Sequence, residues 1–300
     1  MKLKRKHSVF QTTINIVLLL FLIIQIYPIV YVISCSFSDV DAINAGKVFL
    51  WPVGFTLDGY KKIFEYSAIW VGYANTIFYT VVGTVINLIV TIPCAYALSR
   101  KDLKGRNLFT IYFMITMYVS GGLIPSYLNV KQLGLLDSRA IILILGALSV
   151  YNLIVCRSFF ANTIPYELTE AARIDGASDW SIFMNIILPL SKAIIVVMVL
   201  YYGVGRWNAY FDAMIYLNDT DKYPLQLVLR GILLQGQMAS DLAGGAALTL
   251  EEMQEMEMIK KAADLMKYCI IVVSTAPMLL VYPKLQKYFE KGIMIGSVKG

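Results

Sequence analysis

Six long apolar stretches follow one another along the chain, and polar segments separate them. Four contain no Asp, Glu, Lys or Arg, and the other two qualify if Lys192 and Lys284 extend toward an interface. A bilayer is crossed by about 20 mostly apolar residues in a helix. The pattern predicts six transmembrane helices, near residues 13–34, 73–98, 107–127, 138–158, 184–205 and 268–287.

Composition agrees with a membrane protein. Hydrophobic residues make up 58% of the 300 residues and charged residues 15%, against roughly 45–50% and 25% in soluble domains. The first apolar stretch is too long for a signal peptide, and no small-residue cleavage site follows it before Cys35, so it is interpreted as a retained anchor. The predicted fold class is an all-α polytopic membrane protein.

The distribution of charge predicts the orientation. Both ends, the 100–106 connection and the 160–183 segment lie on one side, which holds 15 basic and six acidic residues, whereas the other side holds 11 and 14. Because basic residues accumulate on the cytoplasmic side, both termini are predicted to be cytoplasmic.

Two long segments, 35–72 and 206–267, then face outward. In the second, a short helix is expected to start after Pro224 and to end at Gly236, and Thr249 and Glu252 have the spacing of a capping box that opens another helix. The first segment contains Trp51 and Trp70 and is expected to be a folded loop with aromatic contacts at the membrane surface. The second is either a connecting loop or a binding element.

The segment between the fourth and fifth spans carries the most informative motif. Pro165 and Glu167 suit the first turn of a helix, Gly176 permits a sharp bend, and Ser178 or Asp179 can cap a second helix. Trp180, Phe183 and Ile187 are spaced to form one apolar face. The segment is either an amphipathic interfacial loop or a stiff helix–turn–helix that transmits force from a docked partner.

The motif decides between these alternatives by resemblance. Its pattern is carried by Glu170, Ala171, Ala172, Asp175, Gly176, Ala177, Phe183, Leu188 and Pro189. This pattern resembles the EAA loop of binding-protein-dependent ABC importer permeases. The wider chain resembles maltose-permease-type carbohydrate importers, and residues 206–212 and 285–300 resemble their Gram-positive complex-oligosaccharide branch. Ala193 stands where many sugar permeases have proline.

The resemblance implies a type I importer half-channel with a MetI-like transmembrane domain. Residues 1–72 would be the anchor helix and external loop, 73–290 the permease domain with the EAA loop at 163–190 and the external loop at 206–267, and 291–300 a cytoplasmic tail. The implied partners are a second permease subunit, an ABC ATPase dimer that uses ATP and Mg²⁺, an extracellular sugar-binding lipoprotein and membrane lipid. The 236–262 segment would reach toward the delivered sugar.

The chain itself lacks the residues of an enzyme or a metal site. It has no phosphate-binding G-x-x-x-x-G-K-[ST] loop and no G-x-S-x-G elbow. Its one histidine is His7, and its four cysteines form no CxxC pair. We therefore expect no catalytic residue, no metal, no bound cofactor and no nucleic-acid partner.

Five residues are candidates for the substrate pathway, because sugars bind to aromatic rings and to amide or hydroxyl groups. Trp207, Asn208 and Tyr210 follow the fifth span, where they could equally anchor the helix at the interface. Asn87 and Asn152 lie within spans, where they line the pathway or link helices.

The predicted function is therefore that of a permease subunit in the cell membrane. It would form half of the pathway for an oligosaccharide that an extracellular binding protein delivers. The alternative is a secondary transporter or channel for a small polar solute, which usually needs an ionisable residue within a span or an inverted repeat.

Overall fold

The computed structural model describes residues 9–245 and 249–296, and within these ranges the chain forms helices and no β-strand. The first eight helices are α1 Val9–Ser36, α2 Val40–Asn44, α3 Asp58–Glu65, α4 Ser67–Ser99, α5 Arg106–Tyr118, α6 Leu123–Gln132, α7 Arg139–Ile144 and α8 Val150–Thr163. The remainder are α9 Tyr166–Ile174, α10 Asp179–Ile182, a π-helical turn Phe183–Ile187, α11 Leu188–Leu190, α12 Lys192–Trp207, α13 Phe211–Tyr216, a 3₁₀ turn Thr220–Lys222, α14 Leu225–Gly245 and α15 Leu250–Gly296.

Three helices in the described residues are long and apolar enough to cross a membrane, namely Phe10–Ser36, Ser67–Ser99 and Glu251–Leu280. Two bent pairs also qualify if each pair counts as one span. Helices α5 and α6 meet at 111°, and Asp179–Leu190 meets α12 at 79°. The spans predicted at 107–127 and 184–205 are therefore broken by sharp bends.

The span predicted at 138–158 is not one helix. It divides into α7 and α8, with residues 145–149 unwound between them. Gly146 adopts a φ of +69°, which an L-residue with a side chain avoids, and Ser149 caps α8 by accepting from the Asn152 backbone N–H at 3.4 Å. The apolar pattern concealed this break because residues 140–156 contain no charge.

The described residues belong to two compact units. One comprises the chain up to Ser67 together with Leu229–Ala276, and the other comprises Ala68–Val228 and the residues from Pro277 onward. The predictions for the basic N-terminus, for positions 246–248 and for positions 297–300 concern residues outside the described ranges.

In the first unit, the segment after α1 folds back on the end of that helix. Ser34 Oγ donates to the Leu50 carbonyl at 2.6 Å, and Tyr60 OH donates to Ser36 Oγ at 2.9 Å. The Phe37 ring stacks on Phe55 with centroids 5.8 Å apart. These contacts agree with the sequence-based expectation of a folded segment with aromatic contacts at 35–72.

Two glycines allow helices of this unit to approach closely. A Cβ on Gly59 would lie 2.6 Å from both Cys269 Sγ and the Leu265 carbonyl oxygen, and a Cβ on Gly236 would overlap Ala263. The prediction that Gly236 ends a helix is wrong, because α14 continues to Gly245. The capping box is confirmed: the Thr249 backbone N–H donates to Glu252 Oε2 at 2.8 Å.

Among its described residues, the second unit contains two apolar clusters. The larger is built from α4, α8, α9, α10, the π turn and α12 around Leu153, Cys156, Ile187 and Met198, all completely buried. The other, which we call the tyrosine cluster, joins Tyr79, Ile141, Ile142 and Tyr216 with the half-buried Tyr127, Tyr210 and Tyr223.

We expect Gly59→Ala to lower the stability of the protein, because the added methyl group would collide with α15. Overpacking of this kind costs roughly 1–3 kcal/mol. Thermal unfolding of the protein in detergent, followed by fluorescence, measures the effect. Gly231→Ala is the matched control, since it also lies in a helix of this unit and a Cβ there meets nothing within 4 Å. Equal midpoints for the two variants would contradict this packing argument.

Candidate functional site

The matching residues of the motif fold as a helix–turn–helix. Helix α9 ends at Ile174, and Gly176, with a φ of +81°, turns the chain while its N–H donates to the Arg173 carbonyl at 3.0 Å. Ser178 then caps α10 by accepting from the Ser181 N–H at 3.2 Å. The predicted bend at Gly176 and the predicted cap at Ser178 are confirmed.

One side of this element faces the larger cluster and the other faces away. Thr169 and Ala172 are buried. The opposite side, which we call the α9–α10 outer face, consists of Glu170, Ala171, Ile174, Asp175 and Trp180, all exposed. Ile174 is 86% exposed and Trp180 67%. Large apolar side chains exposed among carboxylates are typical of a protein interface.

The π turn anchors the element to the rest of the unit. It brings Ile182, Phe183 and Ile187 into the cluster, with Phe183 6% exposed and the other two fully buried. The Phe183 ring stacks on Tyr96 of α4 at 5.3 Å. The Trp180 ring lies 5.9 Å from that of Phe183 but is itself largely exposed, so of the three residues predicted to share one apolar face, Phe183 and Ile187 are buried and Trp180 lies at its edge.

The other matching residues lie at the edges of this anchor. Ala177 and Leu188 are half-buried and pack against the larger cluster. Pro189 is exposed in the first turn of α11, where a missing N–H costs little. The chain bends just after it, at Ser191, whose Oγ donates to the Ile187 carbonyl at 2.6 Å.

A network of four charged side chains ties α9 and α10 to the end of α4. Arg100 donates two hydrogen bonds to Asp102, at 2.9 and 2.6 Å, and one to Asp179 at 2.9 Å. Arg173 donates to Asp102 at 2.8 Å and to Asp179 at 3.2 Å. The Arg100 guanidinium holds the pKa of Asp102 below its usual range. From the sequence, Asp179 is a candidate helix cap, and the other three charges contribute only to the predicted orientation.

The candidate pathway residues are largely structural in this fold. Asn87 is completely buried and donates to the Gly146 and Ala147 carbonyls at 2.6 and 2.8 Å. Trp207 is 5% exposed, and its ring lies 6.3 Å from that of Tyr73. Asn152 is 7% exposed in the first turn of α8. Of the two alternatives for Asn87, these contacts favour the helix-linking one.

Two candidates remain accessible near the end of α12. Asn208 is exposed at the end of that helix, and its amide donates to the Val204 carbonyl at 3.0 Å. Tyr210 is half-buried against the tyrosine cluster. Both residues are near Trp207 because they follow it closely in the sequence, and not because of a tertiary contact.

Sequence reasoning missed Arg206 as a structural residue. Its Nε donates to Asn87 Oδ1 at 3.2 Å, its Nη2 donates to the Leu143 carbonyl at 3.1 Å, and its Nη1 donates to the Ile142 carbonyl. A Cβ on Gly83 would lie 3.0 Å from Arg206 Nε, so glycine there makes room for the guanidinium. A charged residue at the end of an apolar span was the available signal.

One helical turn earlier, Tyr202 contacts the unwound segment that follows α7. Its hydroxyl lies 2.7 Å from Thr91 Oγ1 and accepts from the Ser149 backbone N–H at 3.2 Å. Tyr202, Arg206 and Asn87 together we call the polar clamp. Within the described residues, no cluster of three or more His, Cys, Asp or Glu side chains could hold a metal ion.

Comparison with known proteins agrees with this architecture. Residues 66–295 match the family described as binding-protein-dependent transport system inner membrane component. YtcP of Bacillus subtilis, a polygalacturonan/rhamnogalacturonan transport system permease protein, is 40% identical over 296 residues, which cover 98% of this chain and all of YtcP. LplC of the same organism is 42% identical over 277 residues, 92% of this chain and 90% of LplC.

A solved structure shows the same fold. It is a bacterial ABC transporter involved in the import of the acidic polysaccharide alginate, and one of its chains is 36% identical with a TM-score of 0.80, covering 96% of this chain and 99% of that one. The expected all-α, type I importer permease fold is therefore confirmed. The secondary-transporter alternative is not favoured.

The matches also fix the general role. Permeases of this kind are multi-pass proteins of the cell membrane, transport components rather than enzymes, and they work with an ATPase and a binding protein. The resemblance carried by Glu170–Ala177 is confirmed. The chain belongs to the family of binding-protein-dependent transport system inner membrane components.

Proposed function

We propose that this chain forms one half of the translocation pathway for an acidic oligosaccharide and pairs with a second, different permease subunit. Two relatives support the substrate class. YtcP is a permease protein of a polygalacturonan/rhamnogalacturonan transport system, and the structural neighbour is involved in the import of alginate. These are carboxylate-bearing sugars. An external binding protein, in our proposal a lipoprotein, delivers the sugar.

The α9–α10 outer face carries the proposal for energy coupling. Ile174 and Trp180 present largely exposed apolar surface, and Glu170 and Asp175 flank them. We propose that an ATPase subunit, which uses ATP and Mg²⁺, receives this face in a cleft. The 163–190 segment would then act as the EAA loop, with both chain termini on the same, cytoplasmic side.

The anchor on the opposite side explains how movement would pass into the unit. Ile182, Phe183 and Ile187 are packed against α4, α8 and α12, so a force on α10 moves the start of α12 as well. The charged network joins α9 to the end of α4 through Arg173 and Asp102. Although exposed ion pairs contribute little to stability, roughly 0–1 kcal/mol each, this network limits rotation of α9 on its anchor.

We expect Ile174→Ser to weaken binding of the ATPase about tenfold or more, because a central apolar contact would be lost. The test measures the affinity of the detergent-purified permease pair for ATPase immobilised on a sensor surface. Ile124→Ser is the matched control, since Ile124 is 73% exposed but lies on α6. If both variants bind the ATPase as the wild type does, the outer face is not the docking site.

We expect Gly176→Val to reduce ATP-dependent uptake while the protein still inserts in the membrane. A β-branched residue at a φ of +81° costs roughly 1–2 kcal/mol or more, and the turn would change direction. Gly176→Asn provides the control, because Asn tolerates this conformation, and it should restore much of the uptake. Normal uptake by the Val variant would show that the bend is unimportant for coupling.

The substrate class is tested with the complete importer in proteoliposomes. Complexes that contain the partner permease, the ATPase and the binding protein should accumulate labelled oligogalacturonides only when ATP and Mg²⁺ are present. A neutral glucose oligomer of equal length serves as the comparison. Equal uptake of the neutral sugar, or none of the acidic one, would refute the proposed substrate.

A further inference from the structure

A second arginine of this chain is held in place by an asparagine of α4. Asn75 is 5% exposed, and its amide nitrogen donates to the Asp221 and Tyr223 carbonyls at 2.8 and 3.0 Å. With both amide hydrogens in use, Asn75 Oδ1 accepts from Arg139 Nη2 at 3.1 Å. The asparagine is therefore fixed, and it orients the guanidinium.

The charge of Arg139 has no acidic partner in the described part of the chain. No carboxylate oxygen there lies within 4.0 Å of its nitrogens. Asp137, only two positions away, accepts from the Asn218 and Asp219 N–H groups at 3.1 Å each and pairs with Lys222 at 3.2 Å. These backbone hydrogen bonds, with Lys222, keep the pKa of Asp137 below its usual range. This carboxylate is already engaged.

Comparison with Arg206 shows what is unusual about Arg139. Both side chains contact an asparagine oxygen of α4, but Arg206 is half-buried and donates from all three guanidinium nitrogens. Arg139 is exposed, donates through Nη2 to Asn75 and also hydrogen-bonds the Tyr79 side chain, which leaves part of its five N–H groups unused. It therefore retains N–H groups for a two-point contact with a carboxylate, which arginine makes better than lysine.

The surroundings of Arg139 suit a sugar as well as a charge. Helix α7, which begins at Arg139, contributes Ile141 and Ile142 to the tyrosine cluster. Tyr79 of that cluster lies one turn along α4 from Asn75, and its hydroxyl donates to the Lys222 carbonyl at 2.9 Å. Tyr127, Tyr210 and Tyr223 remain partly accessible around this cluster. Aromatic rings beside an oriented cation are the groups expected at a site for an acidic sugar.

We propose that Arg139, oriented by Asn75, binds a carboxylate of the transported oligosaccharide and so contributes to selection of acidic over neutral sugars. This inference rests on the proposed import of acidic oligosaccharides. The inference requires that the side chain which orients Arg139 is uncharged, as Asn75 is. A carboxylate in place of Asn75 would occupy the guanidinium and compete with the substrate, whereas the amide oxygen orients the guanidinium and leaves its positive charge uncompensated.

The test uses the complete importer in proteoliposomes with labelled oligogalacturonide and a saturated binding protein. We expect Arg139→Gln to lower the uptake rate about tenfold or more and Arg139→Lys to restore part of it. Stimulation of ATP hydrolysis by the loaded binding protein should stay within about twofold of wild type in both variants. Lys104→Gln, an equal change of charge at an exposed position in the connection between α4 and α5, should alter neither quantity.

The outcomes separate this inference from the proposed function. Uptake by Arg139→Gln within about twofold of wild type would overturn the inference, and so would an equal loss of uptake and of ATPase stimulation, which would indicate a structural role. If the wild-type importer takes up no oligogalacturonide, the proposed function fails first. Thermal unfolding of Arg139→Gln should match wild type, because the side chain is exposed and the two Asn75 amide bonds remain.

Discussion

The structure of the second unit depends on how the unwound segment between α7 and α8 satisfies its backbone. In a bilayer, each carbonyl or N–H without a partner costs several kcal/mol. The carbonyls of residues 142 and 143 at the end of α7 and of residues 146 and 147 in the unwound segment each accept a hydrogen bond from a side chain, and the Ser149 N–H donates one. Arg206, Tyr202 and Asn87 supply the partners. The break in this span is therefore stable only because α4 and α12 carry those side chains at matching heights.

The polar clamp holds the last turns of α12, and the bend at Ser191 sets its start. The last turn contains Arg206, whose contacts reach α4 and α7. A helix fixed at both ends moves as one piece. Displacement of the α9–α10 element, which is packed against the beginning of α12 through Ile187, is thus expected to reach the unwound segment without bending the helix between them.

Sequence reasoning succeeded where one local rule decides the structure. Uniformly apolar runs gave α1 and α4, a glycine before Ser178 gave the turn and cap, and Thr249 with Glu252 gave a helix start. It failed where distant residues decide. Hydropathy does not detect the break at Gly146, since its carbonyl is satisfied by Asn87, 59 positions away. Nor does a regular helical wheel allow for the π turn at Phe183–Ile187, which follows α10 directly.

Two asparagines of α4 show how the neighbouring backbone decides the role of a polar side chain. Asn75 and Asn87 lie 12 positions apart on α4, roughly 18 Å along a helix, and each presents its side-chain oxygen to an arginine. At Asn87, the arginine is consumed by backbone carbonyls and holds the fold. At Asn75, the backbone carbonyls are bound by the amide itself, and the arginine is left with unused donors. Identical pairs of residue types thus acquire different functions, because the neighbouring carbonyls fall to the arginine in one pair and to the asparagine in the other.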